Sequence, residues 1–296
     1  MKKNTVFKGI ATALITPLDE EGINYSELGR LIDWQIDEGI DALVICGTTG
    51  EGSTLTDEEH RAAIDFAVQH TAGRVPVIAG TGSNDMAYAI SLTQHACRAG
   101  ADAMLVVTPY YNKATQKGLI RMFTGIADQS TKPIILYNVP SRTGVNIEPE
   151  TFQVLAEHEN IVGIKEASGN IAKIVETMSL VSGKLDLYSG NDDQIVPLMA
   201  LGGIGCISVV SNVLPKETRE ICTRFFNGDI AGSAEMQFKL FPIIKALFCE
   251  VNPIPVKAAM AALGFCKNYL RMPLTPMEDE NRARLISLMR AHGLKV

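Results

Sequence analysis

Short runs of apolar residues alternate along most of the chain with longer segments in which apolar residues recur at helical spacing. Most of the runs are continuously apolar, which is typical of parallel strands that helices cover. The predicted strands span residues 7–15, 42–46, 75–79, 103–108, 133–138, 161–166, 185–189 and 205–210. The predicted helices that accompany them span residues 25–38, 57–72, 85–99, 115–128, 149–158, 170–182, 192–201 and 215–227.

Eight strand–helix units in series predict an α/β protein with a (β/α)8 barrel of the TIM type. A doubly wound open sheet is the competing architecture. After residue 228 the strands cease, and residues 229–249, 254–264 and 276–292 are typical of helices. We therefore predict a barrel domain over residues 1–228 and a C-terminal helical domain over residues 229–296.

The composition favours a protein that acts on small molecules. The chain has 296 residues, of which 46% are hydrophobic and 20% charged, so it can form a large core. Its 27 Lys and Arg residues against 33 Asp and Glu residues give a net charge of −6, which argues against nucleic-acid binding. No stretch predicts a membrane span or a signal peptide. Six scattered cysteines without a CxxC pair predict reduced thiols and a cytoplasmic location.

Lys165 is the first candidate for chemistry. It ends an apolar strand at the edge where the βα loops of a barrel converge. Burial of an ammonium group is costly unless the group is paired or can lose its proton. A neutral amine in a dry pocket is a nucleophile that forms a Schiff base with a carbonyl. The alternative is a structural ion pair with Glu51 or Glu166, and position alone does not decide between the two.

Hydroxyl groups at the same predicted edge favour the catalytic interpretation. Thr48, Thr49, Tyr111 and Tyr137 end or follow neighbouring strands, and a chain of hydroxyls can relay protons. The backbone amides of the turn at residues 47–51 can bind a carboxylate. Each feature alone also fits plain packing or a tight turn. Together they predict a polar site that converges on the lysine.

Metal and nucleotide chemistry fit the sequence less well. The five histidines fall on predicted helices or their ends, so we expect them on solvated surfaces and predict no zinc cluster. No glycine-rich nucleotide loop follows a predicted strand. Asp192 and Asp193 follow the seventh strand, where they would repel a phosphate group. We therefore predict no metal and no external cofactor.

Two segments, Gly47-Thr-Thr-Gly-Glu51 and Gly163-Ile-Lys-Glu-Ala-Ser168, resemble motifs of the pyruvate-dependent Schiff-base aldolases and lyases, the dihydrodipicolinate synthase/N-acetylneuraminate lyase superfamily. The resemblance covers almost the whole chain. Pro109-Tyr-Tyr-Asn112 and Tyr137-Asn-Val-Pro-Ser-Arg-Thr-Gly144 resemble the dihydrodipicolinate synthase family in particular. That resemblance implies a barrel lyase that condenses pyruvate with L-aspartate 4-semialdehyde, the first committed step of diaminopimelate and lysine biosynthesis.

The resemblance implies four catalytic residues. Lys165 would form a covalent Schiff base with pyruvate, and Tyr137 would donate and accept protons beside it. Thr48 would link Tyr137 to Tyr111, which a neighbouring subunit would lend. The implied assembly is a homotetramer built as a dimer of dimers, with a dimer as the minimum.

The resemblance also implies the substrate-binding residues. Thr49, Gly190 and the backbone of Ile207 would hold the pyruvate carboxylate, and Arg142 would pair with the carboxylate of the semialdehyde. Two alternatives stay open. One is a sister aldolase for N-acetylneuraminate or a 2-keto-3-deoxy sugar acid, although such polyhydroxylated substrates would need more hydroxyl-binding groups. The other is a non-catalytic barrel that senses a keto acid.

A remnant of an effector site for lysine is implied at the dimer interface. His60, Asn84 and Tyr110 match residues that build this site in inhibited members of the family. Asp57 replaces a common histidine, and Tyr88 replaces the glutamate that would bind the amine of lysine. We therefore expect weak inhibition by lysine or none.

Overall fold

A computed structural model describes residues 3–296, in which eight parallel strands close into a barrel. The barrel strands are β1 (Gly9–Ala13), β2 (Ala42–Ile45), β3 (Val77–Gly80), β4 (Ala103–Val107), β5 (Ile134–Asn138), β6 (Ile161–Glu166), β7 (Asp186–Ser189) and β8 (Gly205–Ser208). Each strand pairs with its neighbours in the chain, and β8 pairs with β1. The predicted TIM barrel is confirmed, and the open-sheet alternative is wrong. Residues 1–2 of the predicted barrel domain lie outside the described residues.

All the predicted helices are present. They are α1 (Tyr25–Asp37), α2 (Asp57–Thr71), α3 (Met86–Ala99), α4 (Gln116–Asp128), α5 (Pro149–Leu155), α6 (Ile171–Val181), α7 (Ile195–Ala200), α8 (Pro215–Phe226), α9 (Ile230–Leu247), α10 (Ile254–Ala262) and α11 (Asp279–Ala291). The helix predicted over residues 192–201 starts later because Asp192–Gln194 form a 3-10 turn. The helix predicted over residues 149–158 ends at Leu155.

Local chemistry explains where the helices begin and end. At the start of α2 the amide of Glu59 donates to the Thr56 hydroxyl, and the Glu59 carboxylate accepts from the Thr56 amide. This capping box provides partners for two backbone groups that the helix leaves free. At the end of α3, Gly100 has a φ of 95°, a left-handed conformation that favours glycine.

The strands lie between two apolar layers, one outside the barrel and one inside it. Side chains that face outward pack against the helices, and those that face inward fill the barrel, among them Ala11, Ile78 and Ile135. Successive side chains of a strand point to opposite faces, so every strand contributes to both layers. Near the carboxyl end of β6 the inward residue Ala167 is small, and space remains there for a cavity.

The C-terminal helices are tied to the barrel by polar contacts. Gln237 of α9 donates to the Asp192 carbonyl at 2.7 Å, and the Arg271 guanidinium binds the Glu59 carboxylate of α2. The predicted boundary at residues 228 and 229 falls between α8 and α9. The division into two domains stays a prediction. No helix within residues 3–296 is long and apolar enough to cross a membrane.

Candidate active site around Lys165

Lys165 lies near the carboxyl end of β6, with its side chain inside the barrel. It pairs in register with Tyr137 of β5, and its Nζ lies 4.1 Å from the centre of the Tyr137 ring. Only 6% of the lysine is exposed. The sequence-based prediction that these two residues belong to one site therefore has a geometric basis.

The carboxylates considered as ion-pair partners of Lys165 are bound elsewhere. Glu51 binds Lys257, with 2.6 Å between Oε1 and Nζ. Glu166 follows Lys165 in the strand, so its side chain points away from the barrel interior. On that outer side its carboxylate accepts a hydrogen bond from Asn138 Nδ2 at 3.0 Å. Burial raises the pKa of Glu166. Among the described residues, no carboxylate oxygen lies within 4.0 Å of Lys165 Nζ.

Asp192 differs from its sequence-based interpretation. Its side chain is buried and accepts from the amides of Val209 and Val210 at 2.9 and 3.0 Å, so it braces the segment after β8. Burial raises the pKa of this carboxyl. Only Asp193 presents an exposed side chain at this loop, so the prediction that both aspartates would face an incoming phosphate is wrong.

The turn after β2 carries Thr48 and Thr49. A Cβ atom on Gly50 would lie 3.1 Å from the Leu14 carbonyl oxygen, so any other residue would push the turn slightly away from the segment after β1. Thr49 is buried, and its Oγ1 accepts a hydrogen bond from Asn252 Nδ2 at 3.0 Å. Because this contact uses the oxygen as acceptor, the hydroxyl hydrogen of Thr49 is free to donate into the site.

A cavity of about 140 Å³ connects these groups. At a liquid volume of about 30 Å³ per water, it has the volume of roughly five waters, which suits a small keto acid. Six of the predicted site residues line it, namely Thr48, Thr49, Tyr137, Arg142, Lys165 and Gly190. The structure therefore brings most of the predicted site together.

Gly190 lines the cavity, whereas Ile207 does not. A Cβ atom on Gly190 would lie 2.8 Å from Ala167 Cβ and 3.2 Å from Lys165 Cε, so any side chain there would press on the lysine. Ile207 is buried in β8 and does not line the cavity. The binding role of its backbone stays a prediction.

Arg142 lies at the rim of the cavity on a short helix, Pro140–Thr143, that follows β5. Its Nη2 donates to the backbone carbonyl of Asn252 at 3.4 Å, and its side chain is otherwise exposed. Asn252 therefore contacts both Arg142 and Thr49. Asn252 is not among the residues predicted for the site, although a polar amide within an otherwise apolar, proline-rich stretch was a signal for a role.

Tyr111 does not reach this cavity within its own chain. It is 89% exposed in the loop after β4, and its φ of 77° is unusual for a residue with a side chain. Its predicted link to Thr48 therefore is not formed inside one chain. Its predicted place in a neighbouring subunit stays a prediction.

A second cavity of about 460 Å³ adjoins the first and shares Thr48, Tyr137 and Arg142 with it. His60, Tyr88 and Tyr110 line it. The amide of Asn84 lies 3.4 Å from the Tyr110 carbonyl, so the residues predicted for an effector site are neighbours. Their use by an effector stays a prediction.

The histidines are less uniform than predicted. His60 is buried, and its Nε2 lies 2.8 Å from the Gly80 carbonyl oxygen, so a solvated surface position is wrong for this residue. Burial lowers its pKa. Three others contact an aspartate of another outer segment: His70 with Asp33, His95 with Asp65 and His158 with Asp128. Within residues 3–296, no group of three His, Cys, Asp or Glu side chains is placed to hold a metal.

Lysine at millimolar concentration is expected to leave most of the activity intact. Asp57 binds Arg61, which lowers the pKa of Asp57, so this carboxylate is already engaged. Tyr88, whose pKa burial and Asp57 raise to about 12, offers no carboxylate in its place. Loss of one charge-assisted bond costs about 1.5–3 kcal/mol, which is roughly 10- to 150-fold in affinity.

Turnover measured against lysine concentration tests this expectation. Tyr88→Glu restores the missing carboxylate and is expected to increase inhibition, whereas Tyr88→Gln is the uncharged control. Near-complete inhibition of the unsubstituted chain by 1 mM lysine, on the order of cellular metabolite levels, would contradict the expectation.

Fold and cavity together define a barrel enzyme built around a buried lysine. Residues 6–292 match the model of the dihydrodipicolinate synthetase family, and the chain belongs to that family. It is 53% identical over 290 residues to the 4-hydroxy-tetrahydrodipicolinate synthase of Thermoanaerobacter sp. (strain X514), a match that covers 98% of each chain. The family and enzyme class predicted from the sequence are confirmed.

Solved structures agree with this assignment. The dihydrodipicolinate synthase from Aquifex aeolicus has a TM-score of 0.95 at 46% identity and covers 97% of this chain and 99% of its own. The chloride-inhibited enzyme from Acinetobacter baumannii, solved in complex with pyruvate, has a TM-score of 0.95 at 41% identity and covers 98% of this chain and 100% of its own.

Proposed function

We propose that the chain condenses pyruvate with L-aspartate 4-semialdehyde to 4-hydroxy-tetrahydrodipicolinate, through a Schiff base on Lys165 and without an external cofactor. This is the first committed step of diaminopimelate and lysine biosynthesis. The observation that carries the proposal is a buried lysine with no carboxylate within 4.0 Å among the described residues, in a small cavity lined by hydroxyls. The name of the relatives supports the choice of substrates.

The chemistry needs only the amine and proton transfers. Lys165 Nζ adds to the ketone carbon of pyruvate, and loss of water leaves an imine. Removal of a methyl proton gives an enamine, whose carbon attacks the aldehyde carbon of the second substrate, so the aldehyde oxygen becomes a hydroxyl. The amino group of that substrate then attacks the imine carbon, which closes the ring and releases Lys165. Tyr137, whose ring centre lies 4.1 Å from the amine, would exchange these protons through its hydroxyl.

The lining of the cavity supports two carboxylate positions. The hydroxyl of Thr49, with its hydrogen free to donate, and the backbone near Gly190 hold the pyruvate carboxylate beside Lys165. The Arg142 guanidinium at the rim holds the carboxylate of the second substrate, for which bidentate geometry is well suited. Pyruvate would therefore lie deeper in the cavity than the semialdehyde and would bind first.

The active assembly contains at least two copies, and we propose a tetramer made of two dimers. The support is Tyr111, which is 89% exposed and does not line the cavity of its own chain. A second copy would supply it, completing the relay through Thr48. We also propose a cytoplasmic location, because all six cysteines are free thiols.

Comparison of substrates tests the proposed function. We expect the condensation of pyruvate with the semialdehyde to exceed cleavage of N-acetylneuraminate or a 2-keto-3-deoxy sugar acid by roughly 100-fold or more in kcat/KM, because a cavity of about 140 Å³ leaves little room for a polyhydroxylated chain beside the pyruvate unit. Faster cleavage of a sugar acid would favour the sister aldolase. No turnover of any substrate, with pyruvate bound reversibly, would favour a keto-acid sensor.

A further inference from the structure

A buried ion pair joins the C-terminal helices to the turn that carries Thr48 and Thr49. Lys257 of α10 and Glu51 of the turn both have fully buried side chains, and Lys257 Nζ lies 2.6 Å from Glu51 Oε1. The second oxygen of Glu51 accepts from the Arg271 amide at 3.1 Å. Removing two charges from water is costly, and their attraction often fails to repay the cost. Stability alone is therefore a weak reason for this pair.

The pair holds the turn at several points. Lys257 Nζ also donates to the Thr16 carbonyl at 2.6 Å, and the Thr16 hydroxyl donates to the Gly50 carbonyl at 2.7 Å. Glu51 has a φ of 54°, a left-handed conformation that a side chain disfavours, so surrounding contacts must hold it there. The Glu51 amide donates to the Thr48 carbonyl at 3.1 Å, which transmits this constraint to the site.

The same stretch of chain contacts the turn a second time. Asn252, immediately before α10, donates to Thr49 Oγ1 at 3.0 Å. Lys257, about one helical turn further on, binds Glu51. The start of α10 therefore touches the turn both at a hydroxyl of the cavity and behind it.

We propose that Lys257 is a positioning residue for the pyruvate site: through Glu51 it fixes the turn so that Thr49 meets the pyruvate carboxylate and Thr48 stays in place for the proton relay. The ligand named here rests on the proposed function. Binding groups displaced by about 1 Å can cost on the order of 100-fold in rate, so this support has a large effect on activity. Arg142 belongs to another loop, contacts neither Glu51 nor Lys257, and reaches the start of α10 only at the Asn252 carbonyl, 3.4 Å from its Nη2.

The double variant Glu51→Gln/Lys257→Met tests the proposal. Both charges are removed at similar volume, so neither is left buried without its partner, whereas Lys257→Met alone leaves a buried carboxylate unpaired. We expect the KM for pyruvate to rise roughly 10- to 100-fold and the KM for the semialdehyde to stay within about twofold. A role limited to stability would lower the melting temperature without separating the two KM values.

Lys267→Met is the matched control, because it removes another ion pair between the C-terminal segment and the barrel domain, the one with Asp19, without touching Glu51, Lys257 or Arg271. We expect it to leave both KM values unchanged. If the double variant does not fold, Glu51→Asp is measured instead, because it keeps both charges but shortens the carboxylate side chain by one methylene and so loosens the turn. A smaller rise in the KM for pyruvate alone is then expected.

A KM for pyruvate within about twofold of the parent in a folded variant overturns the positioning role. Failure of the proposed function is distinguishable, because the parent chain itself would then form no borohydride-reducible adduct with pyruvate. If the parent forms the adduct and the variant has unchanged kinetics, only the role of Lys257 is overturned.

Discussion

Replacement of Lys165 by methionine is expected to abolish the reaction, with kcat reduced roughly 1,000-fold or more, while the melting temperature stays equal or rises. The covalent route disappears with the amine. The stability follows from burial: Lys165 is 6% exposed and has no carboxylate partner within 4.0 Å among the described residues. A buried amine without a carboxylate partner is costly, and the flexible methionine side chain fills a similar space.

Lys257→Met is the matched control for this prediction. It removes the other deeply buried lysine, but from an ion pair whose side chains are fully buried. Loss of one partner of a buried pair costs about 3–5 kcal/mol, so we expect a clear fall in melting temperature. Steady-state kinetics and thermal unfolding of both variants give the comparison. A large loss of stability in Lys165→Met would show that the amine is paired in the folded chain.

Replacement of Arg142 by alanine is expected to lower kcat/KM for the semialdehyde roughly 10- to 150-fold and to spare Schiff-base formation with pyruvate. A hydrogen bond to a charged group contributes about 1.5–3 kcal/mol, which corresponds to that range. The selectivity follows from geometry, because Arg142 lies at the rim and its guanidinium donates to the carbonyl of Asn252, away from the Lys165 amine.

Arg142→Lys separates charge from geometry. A lysine keeps the positive charge but loses the planar fork that binds a carboxylate through two bonds. We expect partial recovery of semialdehyde turnover relative to alanine. The measurement is steady-state kinetics with each substrate varied in turn, together with trapping of the pyruvate adduct. Unchanged semialdehyde turnover in Arg142→Ala would show that another group binds that carboxylate.

The barrel could be predicted because its signals are local. Continuous apolar runs such as residues 161–164 predict covered parallel strands, and the observed β6 has the bounds predicted for this strand, 161–166. Lys165 was identifiable because a lysine at the end of such a run is exceptional. The hairpin formed by Leu18–Asp19 and Gly22–Ile23 was missed, since two-residue strands have no measurable periodicity.

Contacts between distant parts of the chain could not be predicted. The partner of Glu51 is Lys257, which reaches it only because α10 packs against the barrel. Asn252 contacts Thr49 for the same reason. A single lysine within the apolar α10 was a usable signal of burial, but the sequence does not say which carboxylate it meets. The position of His60 was predicted wrongly because α2 is rich in polar residues, whereas His60 itself lies on the buried face of this helix.

The central claim, that Lys165 forms a Schiff base with pyruvate, is tested most directly by borohydride reduction with and without pyruvate, followed by intact mass and peptide mapping. We expect a stable adduct on the peptide that contains Lys165, formed only when pyruvate is present. No adduct, or an adduct on a different lysine, would contradict the proposed chemistry.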